Sequence, residues 1–424
     1  MKTIEQKGFQ RFLLVWSGQL LSSLGTGMTA FAVGVHVFLE TGKVSGFASV
    51  VLALFLPSIL LRPLGGLLAD RFDRRVLIVF GDLGAAAGVL FLLLTLIFGE
   101  LNMGKILLGV GVGSAFSALQ NPAYKASLTD LLNAAQFARA AGLVQLAASA
   151  QHLLSPICAG VLLATSGLKT VLIIDAATFL FAVTTVLFIR GKLRPGQQDQ
   201  KPPLMKQMTD GWYAVTKDTE IMDVVLILTA VTFFVGILQT VFPPMVLSFG
   251  DSRTLGLIQS VSAVGMVVGS LAVGIKGLSR ETGRLLRLAL AASGVFLLLM
   301  GSTTNSVYLT ISFFLFFLCL PLINTSAEVL IRKGVPNELQ GRAWGIIGLL
   351  SQIGYLAAYS AAGVLADRVF NPMLERGGTL ALSVGRIIGS GPGRGTGLML
   401  ILSGFGIALT AAVGGRGVRR AVQS

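Results

Sequence analysis

The sequence predicts an all-α membrane protein with twelve transmembrane helices in two parallel six-helix bundles. Three observations predict this class. Of the 424 residues, 54% are hydrophobic and only 12% are charged, whereas a soluble domain carries about 25% charged residues. The apolar residues form runs of about 20 residues or more, which is the length that crosses a bilayer. The third observation is an internal repeat that relates the two halves of the chain.

The apolar runs define twelve spans. They cover residues 12–39, 44–69, 76–98, 103–124, 140–167, 170–189, 221–248, 254–275, 285–304, 306–331, 343–366 and 395–415. The only long polar stretch, residues 191–220, divides the spans into two sets of six. We therefore expect an N-terminal bundle over 1–190, a cytoplasmic linker, and a C-terminal bundle over 221–424.

The distribution of basic residues predicts the orientation. The chain has 33 Lys and Arg and a net charge of +14. An even number of spans places both termini on one side, and 24 of these residues fall on that side against eight on the other. Cytoplasmic loops of bacterial membrane proteins are enriched in Lys and Arg. We therefore expect a protein of the cytoplasmic membrane with both termini in the cytoplasm, and the basic excess indicates topology rather than nucleic-acid binding.

The two halves resemble each other at a constant offset of 203 residues. Four segments illustrate the repeat: Thr26 and Thr29 fall on Thr229 and Thr232, Gly66 on Gly269, Asn121 on Asn324, and the "AGVL" at 159–162 on the "AGVL" at 362–365. Because each half has an even number of spans, the halves share one orientation. This is the arrangement of parallel transporter repeats.

A dense charge cluster follows the second span. The stretch "GLLADRFDRR" has Gly66 followed by an Asp-Arg pair and then two more arginines; its matching positions are Gly66, Asp70, Arg71, Arg74 and Arg75. With the two-bundle architecture, it resembles the signature of the major facilitator superfamily. Over its whole length the chain is similar to the branch of drug exporters that includes macrolide efflux proteins and a siderophore exporter.

The resemblance implies a role for the cluster in gating. In the family, the Asp that matches Asp70 faces the start of helix eleven, which lies near Arg342 in this chain. A carboxylate at a helix C-terminus is disfavoured unless something compensates it, and Gly66 would allow close helix approach. We expect a latch that opens and closes during transport. A topology anchor without a latch is the alternative.

Ionisable residues inside spans are candidates for function. Arg62 and Asp82 lie at similar depth on either side of the charge cluster, so we expect them to pair. Lys125 and Glu328 are repeat mates, and a bridge between them competes with a local pair of Glu328 and Arg332 at i,i+4. Asp175, in the sixth span, is a further candidate for ion coupling.

Polar side chains on single helix faces predict the substrate cavity. They are Ser22, Thr26, Thr29, Asn121, Gln145, Ser149, His152, Thr229, Thr232, Gln239, Asn324, Gln352 and Tyr355. They offer mild hydrogen-bonding groups and little fixed charge between apolar walls, which suits a bulky, largely apolar ligand. Polar contacts between helices are the alternative explanation for the faces on spans five and eleven.

The sequence thus predicts a secondary transporter that exports hydrophobic or amphipathic compounds such as macrolides or dyes, driven by inward proton flow. A dedicated exporter of a siderophore or peptide antibiotic is the nearest alternative, and a membrane scaffold or sensor is the alternative of another class. Span four lacks the arginine of many proton-coupled relatives, which moves coupling to Asp82, Glu328, His152 or Asp175. No phosphate-binding loop, metal cluster or cofactor motif is expected, one chain suffices, and the chain is not expected to be an enzyme.

Overall fold

The computed structural model describes residues 2–132, 134–188, 204–276, 281–336 and 339–413. Over these ranges the chain is almost entirely helical and forms no β-strand. Contacts divide it into two units, an N-terminal unit of Met1–Gly42 with Ser49–Asp199 and a C-terminal unit of Lys43–Ala48 with Gln200–Ser424. The domain limits expected from the sequence, with a linker at 191–220, stay a prediction.

Five helices account for the first six spans. They are α1 (Lys2–Thr41), α2 (Val44–Arg71), α3 (Arg74–Phe98), α4 (Met103–Leu131) and α5 (Ala134–Leu187). The last is interrupted at Gly167, where φ of 76° and ψ of 177° turn the chain. Since glycine adopts positive φ without a Cβ clash, this residue separates the spans expected at 140–167 and 170–189.

The second half adds six long helices and several short ones. They are α6 (Leu204–Thr216), α7 (Thr219–Leu247), α8 (Ser252–Lys276), α9 (Thr282–Ser302), α10 (Ser306–Gly334), α11 (Gln340–Leu365), α12 (Asn371–Leu374), α13 (Val384–Ile388) and α14 (Arg394–Val413). A π-helical turn at Ala366–Phe370 follows α11. Helix α6 lies within the segment expected as a polar linker and is the main departure from the predicted order.

The repeat is visible in the helix bounds. Helix α4 spans Met103–Leu131 and α10 spans Ser306–Gly334, so a shift of 203 places one on the other at both ends. Both helices begin after an asparagine whose side chain accepts backbone N–H groups, Asn102 and Asn305. With eleven described helices long and apolar enough to span a membrane, one of them double, the twelve-helix fold class is confirmed.

Each unit has its own packed interior. In the N-terminal unit α1 packs against α5, and α3 packs against α4 and α5, around buried residues that include Val33, Leu92 and Leu172. In the C-terminal unit α9 packs against α10 and α14, α7 against α11, and α8 against α10. The surface of both units carries exposed large apolar side chains such as Phe98 and Ile275, as expected where lipid replaces water.

Candidate functional site

A cavity of about 190 Å³ lies inside the N-terminal unit, between α1, α2, α3, α4 and the second part of α5. Its lining residues are Thr26, Thr29, Ala30, Leu54, Ser58, Arg62, Ala85, Val89, Leu92, Gly109, Val110, Gly113, Ser114, Ser117, Ala118, Asn121, Asp175 and Phe179. Most of the wall is apolar, with hydroxyl groups, one amide, one guanidinium and one carboxyl group set into it. This composition is typical of small-molecule sites.

Three of the expected substrate residues meet in this cavity, namely Thr26, Thr29 and Asn121. Two further residues from the sequence analysis, Arg62 and Asp175, lie in the same wall. Thr26 and Thr29 of α1 therefore face the cavity. Helix α4 forms another part of the wall and packs closely against α3 at glycine residues. A Cβ built on Gly88 of α3 would come within 2.5 Å of the backbone oxygen of Gly109, so this contact requires glycine.

Asp175 is the most buried charged residue of the site, with no exposed surface. Neither of its carboxylate oxygens has a hydrogen-bond partner, and the same holds for the buried hydroxyl of Thr29. The Thr29 side chain nevertheless lies close enough to interact with the carboxylate. The Thr178 side chain also lies close enough to interact with the carboxylate, and its hydroxyl donates to the backbone oxygen of Asp175 at 2.7 Å.

A second buried carboxylate, Asp82 on α3, is 3% exposed and has partners. The Gln19 side-chain amide donates to Asp82 Oδ2 at 2.8 Å, and the Gln120 amide donates to Gln19 Oε1 at 2.7 Å. This chain of groups joins α1, α3 and α4. The expectation that Arg62 pairs with Asp82 is wrong, because Arg62 is exposed on the cavity wall and the carboxylate accepts from an amide instead.

Gln19 and Gln120 were missed at the sequence level. A signal for Gln19 was present, because it precedes Ser22, Thr26 and Thr29 at helical spacing and extends their stripe by one turn. Ser22 itself is buried and does not line the cavity. Gln120 and Asn121 are neighbours on α4. The Asn121 side chain faces the cavity and the Gln120 side chain contacts Gln19, and the sequence does not fix the rotation of α4 that decides this.

The charge cluster after α2 is held by α4 and α5. Arg74 is buried, and its guanidinium donates to Asp130 Oδ1 at 2.8 Å and to the Ala126 backbone oxygen at 2.9 Å. Arg75 donates to the Leu187 backbone oxygen at 2.6 Å. Asp73 caps α3 by accepting from the Arg75 backbone N–H at 3.0 Å. Two of the arginines therefore fix the loop in place.

Asp130 follows the membrane-spanning part of α4. Burial raises the pKa of this carboxyl above its usual range, and the Arg74 guanidinium acts in the opposite direction. The net direction is upward, so the pair sits in a partly desolvated place where the charge of Asp130 costs free energy. Asp70 and Arg71, in contrast, are exposed at the end of α2.

Within the N-terminal unit, α2 approaches α4 closely at Gly65, which directly precedes Gly66. A Cβ built on Gly65 would come within 2.6 Å of the Ala118 backbone oxygen of α4, whereas one on Gly66 would meet nothing within 4 Å. The expected approach of helices two and eleven at Gly66 concerns both units and stays a prediction. Small residues do permit close helix packing in membranes, and the neighbouring glycine provides it within the N-terminal unit.

Two other charged residues have local partners. Glu328 and Arg332 pair on α10 at 2.7 Å, so of the two alternatives for Glu328 the structure contains the i,i+4 pair. Arg342, at the start of α11, donates to Asp210 Oδ2 of α6 at 2.6 Å. Helix α6 also packs closely there, because a Cβ on Gly211 would come within 2.4 Å of the Arg342 backbone oxygen. The latch between Asp70 and Arg342 stays a prediction.

Several expected cavity residues of the C-terminal unit make contacts between helices. The Thr232 hydroxyl donates to the Ser351 backbone oxygen at 2.8 Å, and the Thr229 hydroxyl to Val225 of its own helix at 2.9 Å. The Gln239 side chain accepts from the Tyr359 hydroxyl. The remaining expected residues of the unit are Asn324, Gln352, Tyr355 and, as a charged neighbour, Glu328. Asn324 is exposed, and the Gln352 side-chain oxygen is buried without a partner.

The polar face of α5 lies apart from the cavity. Gln145 and His152 are exposed and Ser149 is half-buried, and these side chains do not line the cavity of the N-terminal unit. Lys125 is likewise exposed on α4. Among the described residues, no group of three or more His, Cys, Asp or Glu side chains is placed to hold a metal ion.

Comparison with known proteins gives the family. The sequence profile described as "Major Facilitator Superfamily" matches residues 15–359. Macrolide efflux protein A of Streptococcus pyogenes is 23% identical over 385 residues, covering 88% of this chain and 94% of that protein. The uncharacterized MFS-type transporter YfiS of Bacillus subtilis is 26% identical over 388 residues, covering 85% of this chain and 87% of that one.

Solved structures share the fold. A bacterial homolog of the human lysosomal transporter Spinster superposes with a TM-score of 0.73 at 15% identity, covering 97% of both chains. A bacterial homologue of the iron transporter ferroportin has a TM-score of 0.70 at 15% identity, covering 97% of this chain and 99% of that chain. At such identities the likeness concerns the fold alone. The profile match extends over most of the sequence, and the chain therefore belongs to the Major Facilitator Superfamily of membrane transporters.

Proposed function

We propose that this chain exports hydrophobic or amphipathic small molecules across the bacterial cytoplasmic membrane by alternating access, as a proton antiporter with both termini in the cytoplasm. The observation that best supports the proposal is the cavity of the N-terminal unit. It brings Thr26, Thr29 and Asn121 together on a wall that is otherwise largely apolar. The similarity to macrolide efflux protein A, a protein named for export of such compounds, favours the same direction and substrate class.

The cavity favours an amphipathic substrate over other classes. A sugar requires many directed hydrogen bonds, and an inorganic anion requires basic side chains that converge on it. Here the polar groups are sparse, and Arg62 is the one basic side chain in the lining. An engineered apolar cavity of about 150 Å³ holds a benzene-sized molecule, so a cavity of about 190 Å³ would receive one ring or side group of a macrolide.

The charge cluster supports a gating role. Arg74 and Arg75 anchor the loop to neighbouring helices, which leaves the adjacent Asp70 at the exposed end of α2. We assign Asp70 to the gate. The Asp70→Asn variant is expected to reach the membrane in normal amount and lose most of its flux, whereas a scaffold or sensor would not depend on this carboxylate.

Accumulation in living cells tests the proposal. Efflux-deficient bacteria expressing the chain are loaded with erythromycin or ethidium, with and without a protonophore. Lower accumulation than in control cells, abolished by the protonophore, is the expected result. Asn121→Leu, which keeps side-chain volume and removes the amide, should reduce export. Unchanged accumulation of both compounds, with the protein confirmed in the membrane, contradicts export of this class.

A further inference from the structure

The N-terminal unit contains a carboxylate whose electrostatic requirements the protein itself does not meet. Asp175 lies eight residues after the break at Gly167, in the second part of α5, and is fully buried. Both carboxylate oxygens lack a hydrogen-bond partner. Buried charged groups in proteins are almost always paired or bound to an ion. An ionised Asp175 would therefore require a cation that the chain does not provide.

A second polar group beside Asp175, the Thr29 hydroxyl, is also buried. Thr29 Oγ1 is buried without a hydrogen-bond partner, and it lies beside the Asp175 carboxylate on the wall of the same cavity. Three oxygen atoms from two helices thus face one place, and the Thr29 hydroxyl is the one donor among them. Oxygen ligands of this kind are what hard cations prefer, and a carboxyl group is also the usual carrier of a proton in transporters.

The surrounding backbone is shaped to this carboxylate. A Cβ built on Gly25 of α1 would come within 2.6 Å of Asp175 Oδ1. The backbone of α1 therefore lies directly against one side of the carboxylate, and the open side of the carboxylate faces the cavity. No larger ligand group fits between the carboxylate and this part of α1.

The charged surroundings are simple. Among the lining residues from α1, α2, α3, α4 and α5, the only ionisable side chains are Arg62 and Asp175. Arg62 is exposed on the cavity wall, and no ion pair links it to Asp175. The other buried carboxylate, Asp82, accepts from Gln19 and does not line the cavity.

We propose that Asp175 and Thr29 bind the coupling cation, a proton or Na⁺, within the N-terminal unit. The inference rests on the proposed function, because it names the ion site of that transport cycle. The site shares its cavity with Thr26 and Asn121. A substrate group that enters the cavity thereby changes the water and the field at Asp175, and occupancy of one site opposes occupancy of the other. Such opposed occupancy is the thermodynamic basis of exchange.

Carbodiimide labelling of the purified full-length protein tests the site without transport. Dicyclohexylcarbodiimide reacts with a protonated carboxyl group in an apolar place, and peptide mass spectrometry locates the adduct. We expect an adduct at Asp175 that is absent in Asp175→Asn and retained in Asp82→Asn, the matched control. The adduct should diminish as pH rises. If Na⁺ but not choline also diminishes it at constant pH, sodium is the ion; if the two salts act alike, the proton is.

Thr29→Val sharpens the assignment because valine keeps the shape of threonine and removes the oxygen. It is expected to weaken protection by Na⁺ in the sodium case and to leave the pH dependence nearly unchanged in the proton case. An Asp175 residue that stays unlabelled at every pH, or labelling that Na⁺ and pH both leave unchanged, overturns the proposal. A chain that exports neither erythromycin nor ethidium but shows the ion-sensitive adduct would contradict the substrate class and keep the ion site.

Discussion

The two units share a helical repeat but differ in whether they bury acidic residues. Within the described residues, the N-terminal unit buries two carboxylates, Asp82 and Asp175, whereas every buried polar residue of the C-terminal unit except Arg394 is a serine or a threonine. Two acidic residues of the C-terminal unit lie instead at helix N-termini. Asp218 caps α7 and Asp251 accepts from the first turn of α8.

The difference is visible position by position. At the offset of 203, the residues that correspond to Gln19, Asp82 and Gln120 are Met222, Leu285 and Ile323. The positions of the polar connection between α1, α3 and α4 are thus occupied by apolar residues in the other unit. The helices of both units have the same order although these positions are polar in one unit and apolar in the other. Apolar residues at these positions are therefore sufficient for the fold. The fold does not require the polar groups at these positions of the N-terminal unit, so we attribute them to function.

The largest expected effect comes from Asp175. Asparagine has nearly the same shape and no charge, so Asp175→Asn should fold and reach the membrane. Export should fall to the level of cells that lack the protein, because the proposed ion site is lost. Drug accumulation in expressing cells measures it. Asp251→Asn removes an acid of the C-terminal unit and is the control, expected to export normally. An active Asp175→Asn variant would break the comparison by showing that the unpartnered carboxylate is dispensable.

Much of this organisation could be predicted from the sequence. Apolar runs of bilayer length define the helices because backbone groups in lipid must bond within their own helix. The position of Thr26 and Thr29 on one face of α1 could also be predicted, since spacing alone places residues on one helix face. Depth along the membrane is equally easy to predict, and Arg62 and Asp82 are at similar depth.

The partners of charged groups could not be predicted because they depend on helix rotation. Arg62 precedes Pro63 and follows Pro57 in α2, and proline alters the regular phase of a helix. Similar depth in the membrane therefore predicted that Arg62 would pair with Asp82. The rotation of the helices instead places the Gln19 amide next to the Asp82 carboxylate. The contact of Arg342 with Asp210 could not be predicted from the sequence for another reason. It requires α6, a helix within a segment whose composition predicted only a polar linker.

The second largest effect concerns stability and the buried pair of Arg74. Removing the guanidinium with Arg74→Ala leaves Asp130 and the Ala126 carbonyl without their donor. Loss of one partner of a buried pair costs about 3–5 kcal/mol, and partial exposure of Asp130 reduces the expected value to about 2–4 kcal/mol. Unfolding in mixed micelles measures it. The exposed pair of the C-terminal unit supplies the control, because Arg332→Ala should change the free energy of unfolding by about 0.5 kcal/mol or less.

A third prediction replaces the polar connection of the N-terminal unit by the apolar residues found at the corresponding positions of the C-terminal unit. Gln19→Met alone should destabilise the protein by about 1–3 kcal/mol, since it leaves the Asp82 carboxylate and the Gln120 amide unsatisfied. The triple variant Gln19→Met, Asp82→Leu and Gln120→Ile should regain most of that loss. Replacing all partners of a polar contact by apolar groups is often nearly neutral. Additive destabilisation by the three changes would show that the connection supports the fold itself.

The smallest effect belongs to the helix-end acids of the C-terminal unit. Asp251 accepts from the Thr254 backbone N–H at 2.8 Å, and its hydrogen bonds with Thr254 hold the pKa of this carboxyl below its usual range. A carboxyl whose folded pKa is lowered stabilises the protein above its unfolded pKa, and that contribution is lost as pH falls through the folded value. Asp251→Ala should cost about 1 kcal/mol at neutral pH. Asp251→Asn should keep the cap and remove its share of the acid sensitivity of Tm, whereas Asp175→Asn should leave that share intact. Equal loss of acid sensitivity in both variants would mean that the helix-end and buried carboxylates do not differ as the comparison requires.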